Sequence, residues 1–110
     1  MGKVAMTCRL PVRPGHKESL LTGLRAILEE TYSEAGTELY LVLESAFDDT
    51  TVWVVEMYRD ENAYITHRGS EVHKALEHEL GELLDGDPEL SFLRPVAMKP
   101  LHPDAEQADG

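Results

Sequence analysis

Over Lys3–Leu10 the chain alternates, with Val4, Met6, Cys8 and Leu10 on one side and Lys3, Ala5, Thr7 and Arg9 on the other. A period of two predicts a strand with two unlike faces, closed by Pro11, Pro14 and Gly15. From about His16 to Ser33 the period lengthens. Leu20, Leu21, Leu24, Ile27, Leu28 and Tyr32 form one helical stripe, the mark of a helix with a single buried face. Gly23 costs this helix about 1 kcal/mol relative to Ala, and Gly36 is positioned to stop it. Glu38–Phe47 and Thr51–Arg59 are rich in aliphatic, aromatic and β-branched residues, and the polar Asp48-Asp49-Thr50 between them predicts a hairpin. Asp60 is placed to cap a short helix reaching His67, and Ser70, after Gly69, to cap a second one. Val72, Leu76, Leu80, Leu83 and Leu84 give that second helix its stripe, with Gly86 and Pro88 as its stop. Leu90–Met98 predicts a last strand, which Pro95 confines to an edge or a bulge.

The order strand, helix, strand, strand, helix, strand predicts an α+β fold. It is the ferredoxin-like split βαβ arrangement, an antiparallel sheet with helices on one face. In Thr51–Arg59, Trp53, Val55 and Met57 share one side and Val52, Val54, Glu56 and Tyr58 the other, so both rows are largely apolar. A sheet with one wet face carries a polar row. A second layer is therefore expected, and a homodimer joined through the sheets supplies it most economically.

The 110 residues bound this to one domain over 1–99, followed by an acidic tail over 100–110 expected to be mobile. Ten Lys and Arg against 21 Asp and Glu leave a formal charge of −11, which argues against nucleic acid and anionic membrane surfaces as partners. No apolar run approaches membrane-spanning length and no leader is evident, so a soluble cytoplasmic protein is expected. Cys8 is the single cysteine, which excludes an internal disulfide and a cysteine-based zinc site.

No Gly-rich phosphate loop and no serine-nucleophile motif occurs. His73 and Glu77, at i and i+4, share a helix face but have no evident third ligand, so no metal is expected. Cys8 reads as a small buried apolar residue rather than a nucleophile. Trp53, Tyr40, Tyr58 and Tyr64 suit either an aromatic pocket or core and dimer packing. Glu56 interrupts an apolar strand and must face a partner, a cavity or water. A carboxylate and a histidine in one pocket can move a proton to and from a phenolic or enolic substrate.

Three stretches carry a resemblance: Glu34-Ala35-Gly36-Thr37-Glu38-Leu39-Tyr40, then Val55-Glu56-Met57-Tyr58, then Ala63, His67 and Ser70-Glu71-Val72-His73. Together with Pro14-Gly15 they resemble the antibiotic biosynthesis monooxygenase (ABM) domain over about residues 3–98. The resemblance implies a dimeric α+β barrel. It also implies a monooxygenase that oxidises a small aromatic or quinol-like molecule with O2 and without metal, flavin or haem. Isomerases share the fold, so an isomerase or a non-catalytic dimeric binding module is the alternative. The haem-degrading branch has an Asn on the first strand and a Trp and a His in the second helical region. Here those positions match Cys8, His67 and Glu77, so haem degradation is not implied. Anthrone oxygenases use a first-strand Asn with a Trp; Trp53 could supply the latter, but the Asn is missing.

The resulting expectation names His67 as the residue that accepts or relays the substrate proton and Glu56 as its partner. Trp53, Tyr40 and Tyr58 shape the pocket. His73 is either a second relay or a packing residue. Because His67 sits at a helix end beside the Gly69-Ser70 break, His67→Ala is expected to spare the fold and lower turnover by about 10²-fold or more.

Overall fold

β1 (Val4–Pro11) lies at the centre of the molecule, whose computed structural model describes residues 2–99. Its alternation is realised: Met6, Cys8 and Leu10 are buried, while Ala5, Thr7 and Arg9 face the other way. On one side β1 pairs antiparallel with β3 (Thr51–Tyr58), placing Met6 opposite Glu56 and Cys8 opposite Val54. On the other it pairs with β4 (Glu89–Leu93). β2 (Thr37–Glu44) completes the sheet beside β3, with Tyr40 opposite Glu56, so the order is β2-β3-β1-β4 and every pairing is antiparallel. The α+β ferredoxin-like arrangement is therefore present. The β2–β3 hairpin forms as expected, but β2 ends at Glu44 rather than Phe47, so the connection runs over 45–50; within it the Asp48 carboxylate accepts from the Thr50 backbone N–H at 2.9 Å.

Three helices, α1 (Lys17–Thr31), α2 (Glu61–Arg68) and α3 (Glu71–Leu83), cover one face. Leu20, Leu24 and Ile27 of α1 and Leu76 and Leu83 of α3 meet Val52 and Val54 in one core. Asp60 and Ser70 cap α2 and α3 as their chemistry predicts, accepting from the backbone N–H of Ala63 and His73. Gly23 has a packing purpose: a Cβ there would lie 2.5 Å from Leu76 Cδ1, so its small size lets α1 and α3 touch. At the end of α3 the Arg13 guanidinium donates to the carbonyls of Gly81 and Leu84, at 3.3 and 3.1 Å, which satisfies helix-end acceptors.

Three further expectations are corrected. α1 ends at Thr31 rather than Ser33, and Gly36 is not its stop; Gly36 has no left-handed φ and is needed for a close approach to α2. Tyr32 leaves the stripe and is 81% exposed, because the helix has already ended there. The last strand stops at Leu93 rather than Met98, two residues before Pro95. The tail over 100–110 lies outside the described residues. Among the described residues no helix is long and apolar enough to cross a membrane.

Candidate active site

A cavity of about 360 Å³ lies between the sheet and helices α1 and α3. The sheet contributes Met6, Cys8, Val54, Glu56, Tyr40 and Leu90, and the helices Leu24, Ile27, Leu76 and Leu80. Its volume lies within the range of small-molecule sites, as does its mostly apolar wall with a few convergent polar groups. The polar groups are Tyr40, Glu56, Tyr64, Arg68, His73 and Glu77. Period-two geometry explains the sheet's share: Tyr40 and Glu56 are cross-strand partners on the helix-covered face.

Glu56 is 4% exposed and reaches the cavity from the middle of β3. The Tyr58 hydroxyl, two residues along the same face, donates to its Oε1. Burial pushes the Glu56 carboxyl above the usual carboxylate range, and Glu34 adds to this, while the Tyr58 hydrogen bond and His67 pull the other way. The Tyr40 and Tyr58 phenols are both pushed up, first by burial and then by the charge of Glu56. Cys8 is a buried thiol pushed up to about 11, by burial and by Glu56, which makes it an inert wall.

His67 does not reach the cavity. Its ring is 1% exposed and lies behind Glu56. It is enclosed by Tyr58 at 5.3 Å, Tyr40 at 5.5 Å and His73 at 5.3 Å between ring centroids. Its Nδ1 is 2.8 Å from Glu34 Oε1, and its Nε2 is 3.7 Å from Glu56 Oε1 with no hydrogen-bond partner. His73, by contrast, lines the cavity. Its Nδ1 is 2.8 Å from Glu77 Oε1, but off the ring's hydrogen-bonding direction. Burial, helped by His67, holds the His73 imidazole below its ordinary pKa, which favours the neutral ring. Among the described residues no three His, Cys, Asp or Glu side chains gather where they could hold a metal ion.

The sequence-derived set thus divides. Tyr40, Glu56 and His73 line the cavity; Tyr58 and His67 stand behind Glu56. Trp53 is on the opposite face of the sheet, 39% exposed and paired with Arg9 and Leu43, so its expected place in this pocket is corrected. The residue that sequence reasoning missed is Glu34. It sits in the connection between α1 and β2, far from His67 in the chain, and only the folded contact reveals its part.

Residues 4–79 match the model of the family described as Antibiotic biosynthesis monooxygenase. The chain belongs to the antibiotic biosynthesis monooxygenase (ABM) family. It is 34% identical over 100 residues to the Mycobacterium tuberculosis protein named "Putative monooxygenase Rv0793", covering 91% of this chain and 90% of that one. The solved structure of Rv0793 superposes with a TM-score of 0.83, at 30% identity, over 90% of this chain and all (100%) of the other. PA3566 from Pseudomonas aeruginosa shares the ABM fold of this chain, with a TM-score of 0.80 at 24% identity over 88% of this chain and 97% of that one.

Proposed function

We propose that this ABM-family protein is a monooxygenase that oxidises a small aromatic, quinol-like molecule with O2, using no metal, flavin or haem. The observation that carries the reading is Glu56, a buried carboxyl at the wall of a mostly apolar cavity, with its pKa raised by that burial. Such a group is a stronger base than an exposed carboxylate, and it faces the space that a ligand would fill. Removing the hydroxyl proton leaves an electron-rich phenolate, which can itself give electrons to O2. The balance closes without a further reductant. Quinol and O2 give hydroxyquinone and water, with one oxygen atom on carbon and the other leaving in water. The protein's part is to bind, deprotonate and exclude bulk water.

In this reading Glu56 accepts the proton, His67 supports it from behind, and Tyr40 and His73 orient the ligand. Tyr58 holds Glu56 through its hydroxyl. The working unit is a homodimer formed through the open face of the sheet, where Leu41, Leu43 and Trp53 are each about 40% exposed. A reducing cytoplasm suits the free, buried Cys8.

An oxygen electrode with a quinol panel tests this. The parent is expected to consume O2, and Glu56→Gln to lose about 10²-fold or more in turnover. Isomerised product without O2 consumption would establish the isomerase instead. Thermal stabilisation by non-oxidisable analogues, with no chemistry on any quinol, would establish a binding module.

A further inference from the structure

A second hollow, a groove of about 480 Å³, lies on the far side of His67 from the cavity. Its walls include the exposed Ser33, Asn62 and Thr66. Glu34 lines this groove and not the cavity; Glu56 lines the cavity and not the groove; His67 lines neither. The imidazole therefore spans the wall between two spaces, with one carboxyl at each of its nitrogens. We infer that Glu34, His67 and Glu56 form a proton relay connecting the buried cavity to the surface groove.

The hydrogen-bond directions support a relay rather than a static ion pair. Glu34 Oε1 already accepts from Thr37 Oγ1 at 2.8 Å, so it is the acceptor toward the ring as well. The ring proton is then on Nδ1, and the Nε2 lone pair points into the wall with no partner. A buried acceptor left open is costly unless something uses it. Glu56 Oε1 lies 3.7 Å from it, a separation of the kind that tightens when a ligand binds. The other titratable groups packed on the ring are Tyr40 of β2, Tyr58 of β3 and His73 of α3. The two phenols are held protonated, and the His73 ring is held neutral. None of the three lines the groove, so none offers a competing path to it.

The transfer balances. A proton taken by Glu56 passes to His67 Nε2, the Nδ1 proton passes to Glu34, and Glu34 releases it to water in the groove. The ring is left with its proton on Nε2. The proposed oxygenation has no net proton yield, so the proton returned when water forms runs the same path backwards and resets the tautomer. The relay's use in catalysis rests on the oxygenase reading, but its existence does not.

The test has one arm without turnover and one with it. In the full 15N-labelled chain, imidazole NMR should show His67 in the Nδ1–H form. That proton should exchange with solvent at least ~10²-fold faster than the core amides of β1 and β3, because the relay gives a route that global opening does not. Glu34→Gln keeps the acceptor but cannot take the proton. It should keep the tautomer, slow the exchange at least ~10-fold, and lower kcat by a similar factor with KM unchanged on any quinol the parent oxidises. Exchange at the rate of the core amides in the parent refutes the relay, and this measurement needs no variant to fold. Unchanged exchange in a folded Glu34→Gln refutes it too. A parent that oxidises no quinol overturns the proposed function, while the exchange rates still decide the relay.

Discussion

Glu56 spends its folded life in a place that disfavours its charge. Its folded-state pKa is raised above the unfolded value of about 4.3, so the native state holds that proton more tightly than the unfolded chain does. The stability this lends is fully present below the unfolded pKa and is lost as pH rises through the folded value. Glu56→Gln keeps the shape and removes the ionisation. At pH 7–8 it is expected to melt no lower than the parent, and the fall in melting temperature from acid toward neutral pH should flatten; calorimetry across that range checks both. A variant that is less stable at neutral pH would mean that the charged form is needed for folding. His67 is different, because its ring is packed on every side. The earlier expectation that His67→Ala spares the fold therefore changes. The truncation empties a core position and is expected to cost about 2–4 kcal/mol in denaturant unfolding. A cost under about 0.5 kcal/mol, the scale of an ordinary surface substitution, would show that the ring does not pack as described.

At the scale of elements, what depended on local chemistry was legible. Asp60 and Ser70 could be named as caps because a capping oxygen acts within three residues of itself, and the hairpin could be placed because its turn residues are contiguous. What depended on distant contacts was not. Gly36 looked like a helix stop, yet its purpose is set by α2: a Cβ at Gly36 would stand 2.4 Å from Ala63 Cβ. That close approach holds the connection carrying Glu34 against α2, and so brings Glu34 to His67. Period-two alternation likewise separated Trp53 from Glu56 on β3, but alternation cannot say which row the helices cover. Gly36→Ala is expected to destabilise the protein by about 1–3 kcal/mol through overpacking. Adding Ala63→Gly should recover most of the loss, since the clash is between these two methyl positions; a double-mutant cycle by chemical denaturation checks it. Additive losses would place the strain elsewhere.

At the scale of the whole molecule, the helices leave one sheet face open, and the part of it formed by β2 and β3 is apolar. Leu41, Leu43 and Trp53 form a contiguous row across β2 and β3, because Leu43 pairs with Trp53 and Leu41 with Val55. With a formal charge of −11, two copies repel at long range, so the association must come from burying this row rather than from charge. A stable pair should bury well over ~1,000 Å² in total. The parent is expected to sediment at twice 12.3 kDa at micromolar concentration, and Trp53→Glu to run at the single-chain mass, because burying a carboxylate in the middle of the contact is costly. The same variant separates two roles for Trp53. The cavity lies on the other side of the sheet, so a cavity ligand that raises the parent's melting temperature should raise that of Trp53→Glu as well. A dimeric Trp53→Glu that no longer answers to the ligand would put Trp53 back in the binding site, and a parent that sediments as one chain would remove the dimer.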